Sequence, residues 1–162
     1  MPTTGDSLSE RVQAAYLQLS AVASDLNFVS DELGKSVTEL DSALKKLNLG
    51  VSVWKPMYSN DGLPEDTWYT HEDIGYAKID GKWGVSLRTV AGDHNYPDRD
   101  TIEEWLFNDA PRSLRLSAIG HIPELLDALT QRADETAKSV RGELTTAQAV
   151  AAAIKKAAEL KK

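Results

Sequence analysis

The chain contains no cysteine among its 162 residues. This absence excludes disulfide bonds, thiolate metal ligands and cysteine nucleophiles together. Long apolar runs are also missing, since no stretch of about 18 consecutive apolar residues occurs and none is expected to span a bilayer. The first ten residues lack the basic and then apolar pattern of a secretory signal. The sequence therefore predicts a cytoplasmic protein that does not act at a membrane.

Positive charge is scarce: 18 Lys and Arg residues stand against 25 Asp and Glu residues, which gives a net charge of −7. Residues 51–110 hold twelve acids and five bases, whereas residues 111–162 hold six acids and nine bases. A negative middle region repels phosphates, so nucleic acid is not expected as a partner. A hydrophobic content of 41% with 27% charged residues is typical of a folded chain and argues against general disorder.

Two long segments carry apolar residues in alternating steps of three and four, which places an apolar stripe along one side of a helix. The first stripe consists of Leu8, Val12, Ala15, Leu19, Val22, Leu26, Val29 and Leu33, and resumes at Val37, Leu40, Leu44 and Leu47. The second consists of Ile119, Ile122, Leu126, Leu129, Ala133, Thr136, Val140, Leu144, Ala147, Ala151, Ile154 and Ala158. The spacing predicts long helices over residues 6–49 and 111–161. Gly120, Pro123 and Gly142 mark candidate kinks in the second, near 120–123 and 142. Because such stripes are buried against other helices, we expect two antiparallel, coiled-coil-like helices.

The region between the helices, residues 50–110, is predicted to form a small antiparallel β head. Asp80-Gly81 is typical of a two-residue hairpin turn. The resulting register pairs Lys78 with Trp83, Tyr76 with Val85 and Ile74 with Leu87 on an apolar face, and Asp73 with Arg88 on the other. Lys78 is expected to lie over the Trp83 ring. The fold class is therefore α+β, with helix, β-hairpin head and helix in one chain unit.

Five neighbouring polar residues in the head, His71, Glu72, Asp73, Asp93 and His94, offer nitrogen and oxygen ligands at the end of the predicted hairpin. Such a mixed set could hold a divalent ion. However, the spacing matches no metal signature, and the ends of hairpins are rich in polar residues in any case. The sequence favours solvated loop residues, and we predict no metal.

Catalytic patterns are sparse. Glu103 and Glu104 beside Trp105 could place a carboxylate in an apolar setting, as general acids need. No second catalytic group can be placed from the sequence, and it contains neither a G-x-S-x-G motif nor a glycine-rich dinucleotide turn. We therefore predict no enzyme, no catalytic residue and no cofactor.

Four residues are candidates for contact with a partner. Trp68 and Tyr69 lie in a predicted loop and are expected to be exposed. Arg112 and Arg115 lie three residues apart at the start of the second helix, where they could bind a phosphate or carboxylate. The stronger expectation is that they pair with Glu103, Glu104 or Asp109. Asp109 is also expected to cap that helix, with Pro111 in its first turn.

These features predict a non-enzymatic interaction or scaffold protein with a coiled-coil stalk and an acidic head. The helices are expected to associate with a second copy, as a homodimer or higher oligomer, and the protein partner of the head is unknown. One alternative is a small ligand-binding or catalytic domain with its site in the head. Another is an acidic inhibitor that occupies a basic site on a second macromolecule.

Overall fold

A computed structural model describes residues 4–161 and has the predicted α+β fold. Its helices and strands follow the order α1 (Thr4–Leu47), β1 (Val53–Asn60), β2 (Trp68–Ile79), β3 (Lys82–Asp93), β4 (Thr101–Leu106), α2 (Arg112–Ala118) and α3 (Ile122–Glu159). Contacts divide the chain into two compact units, one up to Ser42 and one from Ala43 onwards. The second unit holds the last turn of α1, the sheet, α2 and α3. The antiparallel pairing of two long helices stays a prediction.

The long helix α1 ends in left-handed backbone conformations. Asn48 and Gly50 have positive φ angles of 48° and 63°, which turn the chain out of the helix. The Asn48 amide still donates to the Lys45 carbonyl at 3.1 Å, which satisfies one of the last helical carbonyls. Lys45 and Lys46 lie in this last turn, where positive charge interacts favourably with the helix dipole.

The predicted hairpin is confirmed residue by residue. Asp80 and Gly81 have φ angles of 48° and 83°, as a type I′ turn requires. All four predicted cross-strand pairs, from Asp73–Arg88 to Lys78–Trp83, are present. The Tyr76 ring stacks on Trp83, with centroids 5.6 Å apart, and the cation–ring contacts of the described residues are those of Arg88 and Arg99 rather than Lys78.

The sheet has four antiparallel strands in the order β1-β2-β3-β4. Its inner face carries Ile74, Tyr76, Val85 and Leu87, all buried. α3 contacts β1 and β2, and α2 contacts β3. Because these four large side chains share one face and are buried, this is the face that α2 and α3 cover. The helices and the turn before them complete the core with Phe107, Leu114, Ala118, Leu125 and Leu129.

The region predicted as a second long helix consists of two helices. A 3-10 turn at Ile119–His121 separates α2 from α3, and Pro123 lies in the first turn of α3, where its missing N–H disturbs no hydrogen bond. α3 then continues through Gly142 without a break. Asp109 does not cap α2, since Pro111 occupies the N-cap position and no side chain caps this helix. None of the helices within residues 4–161 has the length and apolar character needed to cross a membrane.

Candidate interaction surfaces

The outer face of the sheet, opposite α2 and α3, is covered by an aromatic ring from the edge strand. Trp54 pairs with Gly75 across β1 and β2, and its ring lies over that glycine. A Cβ added to Gly75 would be 2.4 Å from the ring carbon Cε3, so only glycine leaves room for the ring. The Arg88 guanidinium lies over Trp54, 4.3 Å from the ring centroid. A glycine inside a strand is the sequence signal for such a close approach.

A buried ion pair lies beside this ring. The Arg88 Nε donates to the Asp73 Oδ2 at 2.6 Å, and only 5% of the Asp73 side chain is exposed. His71 Nε2 lies 3.8 Å from the same carboxylate oxygen. The predicted pair of opposite charges is therefore present. Arg88 binds the carboxylate of Asp73, which was a candidate metal ligand.

The other candidate metal ligands are dispersed. Glu72 points to the opposite face of the sheet from His71 and Asp73, because side chains alternate along a strand. Asp93 ends β3 and accepts a hydrogen bond from the Asn95 amide at 2.9 Å. Across residues 4–161 no group of three or more His, Asp or Glu side chains is arranged to hold a metal ion.

Tyr69 joins β2 to the connection before β4. Its hydroxyl donates a short hydrogen bond to Asp100 Oδ2, and this bond, together with burial, raises the pKa of the tyrosine. Its ring contacts both histidines of this region, with centroids 6.0 Å from His71 and 4.6 Å from His94. Gly92 makes the crossing possible, since a Cβ there would be 2.6 Å from the Tyr69 hydroxyl oxygen. Sequence reasoning missed this link, because Tyr69 and Asp100 are 31 residues apart.

The β1–β2 and β3–β4 connections meet at one end of the sheet, away from the Asp80-Gly81 turn. We call this the open end, and it comprises residues 58–72 and 91–104. The His94 amide ties the two connections together by donating to the Thr67 carbonyl at 2.7 Å. Trp68 is the first residue of β2 rather than a loop residue, and Tyr69 is half-buried. Five large side chains of the open end are exposed by 43–62%: Tyr58, Leu63, Trp68, Tyr96 and Ile102.

The open end is also the most acidic part of the chain. Residues 58–72 and 91–104 hold nine Asp and Glu side chains and one Arg or Lys, which is Arg99. The Arg99 guanidinium lies over the Tyr96 ring, 4.9 Å from its centroid. The surface therefore combines exposed aromatic rings with a dense negative charge.

Arg112 and Arg115 do not join this surface. β4 runs from the open end towards the hairpin turn, so α2 and its arginines begin at the opposite end of the sheet. Arg112 is exposed, and Arg115 is half-buried. Arg115 Nε is buried and has no hydrogen-bond partner among the described residues, so the expected pairing of this side chain with an acidic neighbour is not observed. The four predicted contact residues thus fall into two separate places.

The two long helices present a different kind of surface. In α1 the large residues of the predicted stripe from Leu8 to Val29 are each 41–65% exposed. In α3 the stripe residues Val140, Leu144 and Ile154 are 52–65% exposed. Each helix therefore carries a continuous apolar stripe that is open to solvent in the single chain.

An apolar groove lies at the head end of α3, inside the second unit. It has a volume of about 300 Å³ and runs between the last turn of α1 and α3, lined by Leu44, Leu47, Leu49, Leu126, Leu129, Thr130 and Ala133. A shallower depression of about 450 Å³ continues along α3 as far as Val140 and Arg141. The groove thus leads directly into the exposed stripe of α3.

Comparison with protein-family models, with curated proteins and with solved structures finds no match for this chain.

Proposed function

We propose that this protein is a non-enzymatic, self-associating interaction module, in which α1 and α3 form an antiparallel coiled-coil stalk that displays the acidic head. The observation that carries this proposal is the pair of exposed apolar stripes. A stripe with heptad spacing is the surface that helices use to pack against each other.

The free energy available for association depends on how much apolar surface the stripes expose. Burying one Leu or Val side chain contributes about 1.5–3 kcal/mol relative to full exposure. Six large residues of the α1 stripe between Leu8 and Val29 are at least 41% exposed, as are three of the α3 stripe. Covering them would recover several kcal/mol, which is enough to offset part of the entropy lost on association.

The direction of the stalk is supported by the second unit. There the last turn of α1 and the first half of α3 line the two sides of one groove. Because the chain enters the head from α1 and leaves it into α3, helices that continue from this point side by side run antiparallel. The α3 stripe is flanked by a further exposed apolar residue, Val150. A stripe broadened in this way suits packing among four helices, two from each copy, with twofold symmetry.

The test is sedimentation of the intact chain at micromolar concentration. The proposal expects a mass of about twice the monomer mass of 17.7 kDa. Leu26→Asp places a charge in the α1 stripe at a residue that is 41% exposed. This variant should sediment as a monomer, since a charged residue is costly in the seam between helices.

The matched control is Leu17→Asp. Leu17 is 70% exposed but lies two residues from both Ala15 and Leu19, on the opposite side of α1. This variant carries the same chemical change and should remain a dimer. A wild-type chain that stays monomeric at high concentration would refute self-association.

A further inference from the structure

We propose that the open end of the head binds a lysine- and arginine-rich polypeptide segment. This site is separate from the helical stripes and does not depend on self-association. Its carrying feature is a set of three exposed aromatic residues at the open end, Tyr58, Trp68 and Tyr96, which are 43–54% exposed. Exposed aromatic residues that cluster on a folded surface mark sites of interaction.

Charge complementarity identifies the partner. Residues 58–72 and 91–104, the segments that carry these rings, hold nine acidic side chains and one basic one. A negative surface of this kind attracts cationic partners and repels acidic ones, nucleic acids included. An anionic or neutral apolar segment would cover the rings but leave the carboxylates unpaired.

Exposed aromatic rings and acidic side chains together suit the binding of Lys and Arg side chains in particular. Their alkyl chains pack on aromatic rings, while the charged group contacts the ring face or a carboxylate. The head already contains this contact twice, with Arg88 over Trp54 and Arg99 over Tyr96. In the first case the same guanidinium also binds Asp73.

The open end is held in place before any partner arrives. The Tyr69 hydroxyl binds Asp100, and the His94 amide binds the Thr67 carbonyl, so both connections are fastened to the sheet and to each other. The Asp66 carboxylate accepts from the Leu63 amide at 2.8 Å, which fixes the β1–β2 loop. Binding therefore loses little conformational entropy on the protein side.

The experiment uses the intact chain and a fluorescein-labelled peptide of alternating Arg, Lys and Ala, with a Glu peptide of the same length as the probe of opposite charge. Fluorescence anisotropy measures both affinities at low and at physiological salt. The basic peptide is expected to bind, with affinity that falls as salt screens the charges. Binding of the Glu peptide with equal affinity would overturn the proposal.

Two variants separate a site from general attraction to an acidic protein, because they leave the net charge unchanged. Trp68→Ala should weaken binding of the basic peptide by about fivefold or more, as loss of a ring under a cation predicts. Tyr96→Ala should also weaken binding of the basic peptide. Because Tyr96 lies outside the strands, this variant replaces Trp68→Ala in the test if Trp68→Ala lowers the melting temperature. The matched control is Tyr16→Ala in α1, which is 68% exposed and should have no effect.

Equal affinities for wild type and both head variants would show that charge alone attracts the peptide, and the proposal would be wrong. Loss of dimer mass in Trp68→Ala or Tyr96→Ala would make a second copy the occupant of the open end, which also overturns it. The Leu26→Asp monomer should bind the basic peptide as tightly as wild type. The two proposals can therefore fail independently.

Discussion

Replacing Gly75 with Ala tests how the outer face of the sheet is built. The added Cβ would lie 2.4 Å and 2.6 Å from two carbons of the Trp54 ring and 2.6 Å from the Val53 carbonyl oxygen. Ordinary contacts between carbon atoms are about 3.5–4.0 Å. The Trp54 ring cannot move away from the sheet, because the Arg88 guanidinium lies over it. The Val53 oxygen cannot move either, because it belongs to the backbone of the paired strand.

The expected cost follows from these contacts. Forcing a methyl group into a packed site costs about 1–3 kcal/mol. Displacing the ring also weakens its contact with Arg88, which contributes about 0.5–1 kcal/mol at a partly exposed site. We therefore expect Gly75→Ala to lower the free energy of unfolding by about 2–3 kcal/mol.

The matched control makes the same chemical change where there is space. Gly142 lies inside α3, and an added Cβ would meet nothing within 4 Å. Gly142→Ala should raise helix stability by about 0.5–1 kcal/mol, because alanine is the better helix former. The same change, glycine to alanine, is thus expected to destabilise the protein at position 75 and to stabilise it at position 142.

Urea unfolding followed by tryptophan fluorescence is the suitable assay. All four tryptophans lie in residues 51–110, so the signal reports on the head. Circular dichroism at the helical minimum follows α1 and α3 in the same samples. A Gly75→Ala variant within about 0.5 kcal/mol of wild type would contradict the close approach of Trp54.

Two further predictions concern the turn and the tyrosine link. Gly81→Val should destabilise the head by about 1 kcal/mol or more in the same urea assay, because a β-branched residue resists a φ of 83°. Steric crowding is not the cause, since an added Cβ would meet nothing within 4 Å. An unchanged unfolding midpoint would contradict the predicted turn. Tyr69 should ionise above the ordinary tyrosine range in an ultraviolet titration, because its hydrogen bond to Asp100 raises its pKa, and Asp100→Asn should lower that pKa. The proton-bound form is the stabilised one, so this contribution is complete below the ordinary pKa and is lost as pH rises through the raised value. A wild-type titration that matches Asp100→Asn would refute the link.

The predictable parts of the fold rest on local patterns. Asp80-Gly81 requires positive φ angles, and the alternation on either side of it admits one register, so Ile74 to Leu87 could be paired from the sequence alone. Gly120 and Pro123 likewise marked the place where a 3-10 turn separates α2 from α3. Gly142 did not break α3, because a single glycine costs only about 1 kcal/mol in a long helix.

The arrangement of the outer face and of the open end could not be predicted, because both depend on contacts between residues that are distant in the chain. Gly75 lies within the predicted hairpin, yet the Trp54 ring over it comes from β1, a neighbouring strand whose register the local pattern does not specify. Gly92 was expected in a loop, but β2 and β3 continue the hairpin register as far as the Tyr69–Gly92 pair. The Asp109 cap failed for a related reason, because the chain turns into α2 through Pro111 after anchoring Phe107 in the core.

The apolar stripes, the hairpin and the acidic charge of the head could be read from the sequence, since each follows from spacing, turn chemistry or composition within a short stretch. The tertiary structure was needed to show that the Arg88 guanidinium lies over the Trp54 ring and that Tyr58, Trp68 and Tyr96 lie at one acidic end of the sheet. Two loops far apart in the chain meet there because antiparallel strands return every second connection to the same end.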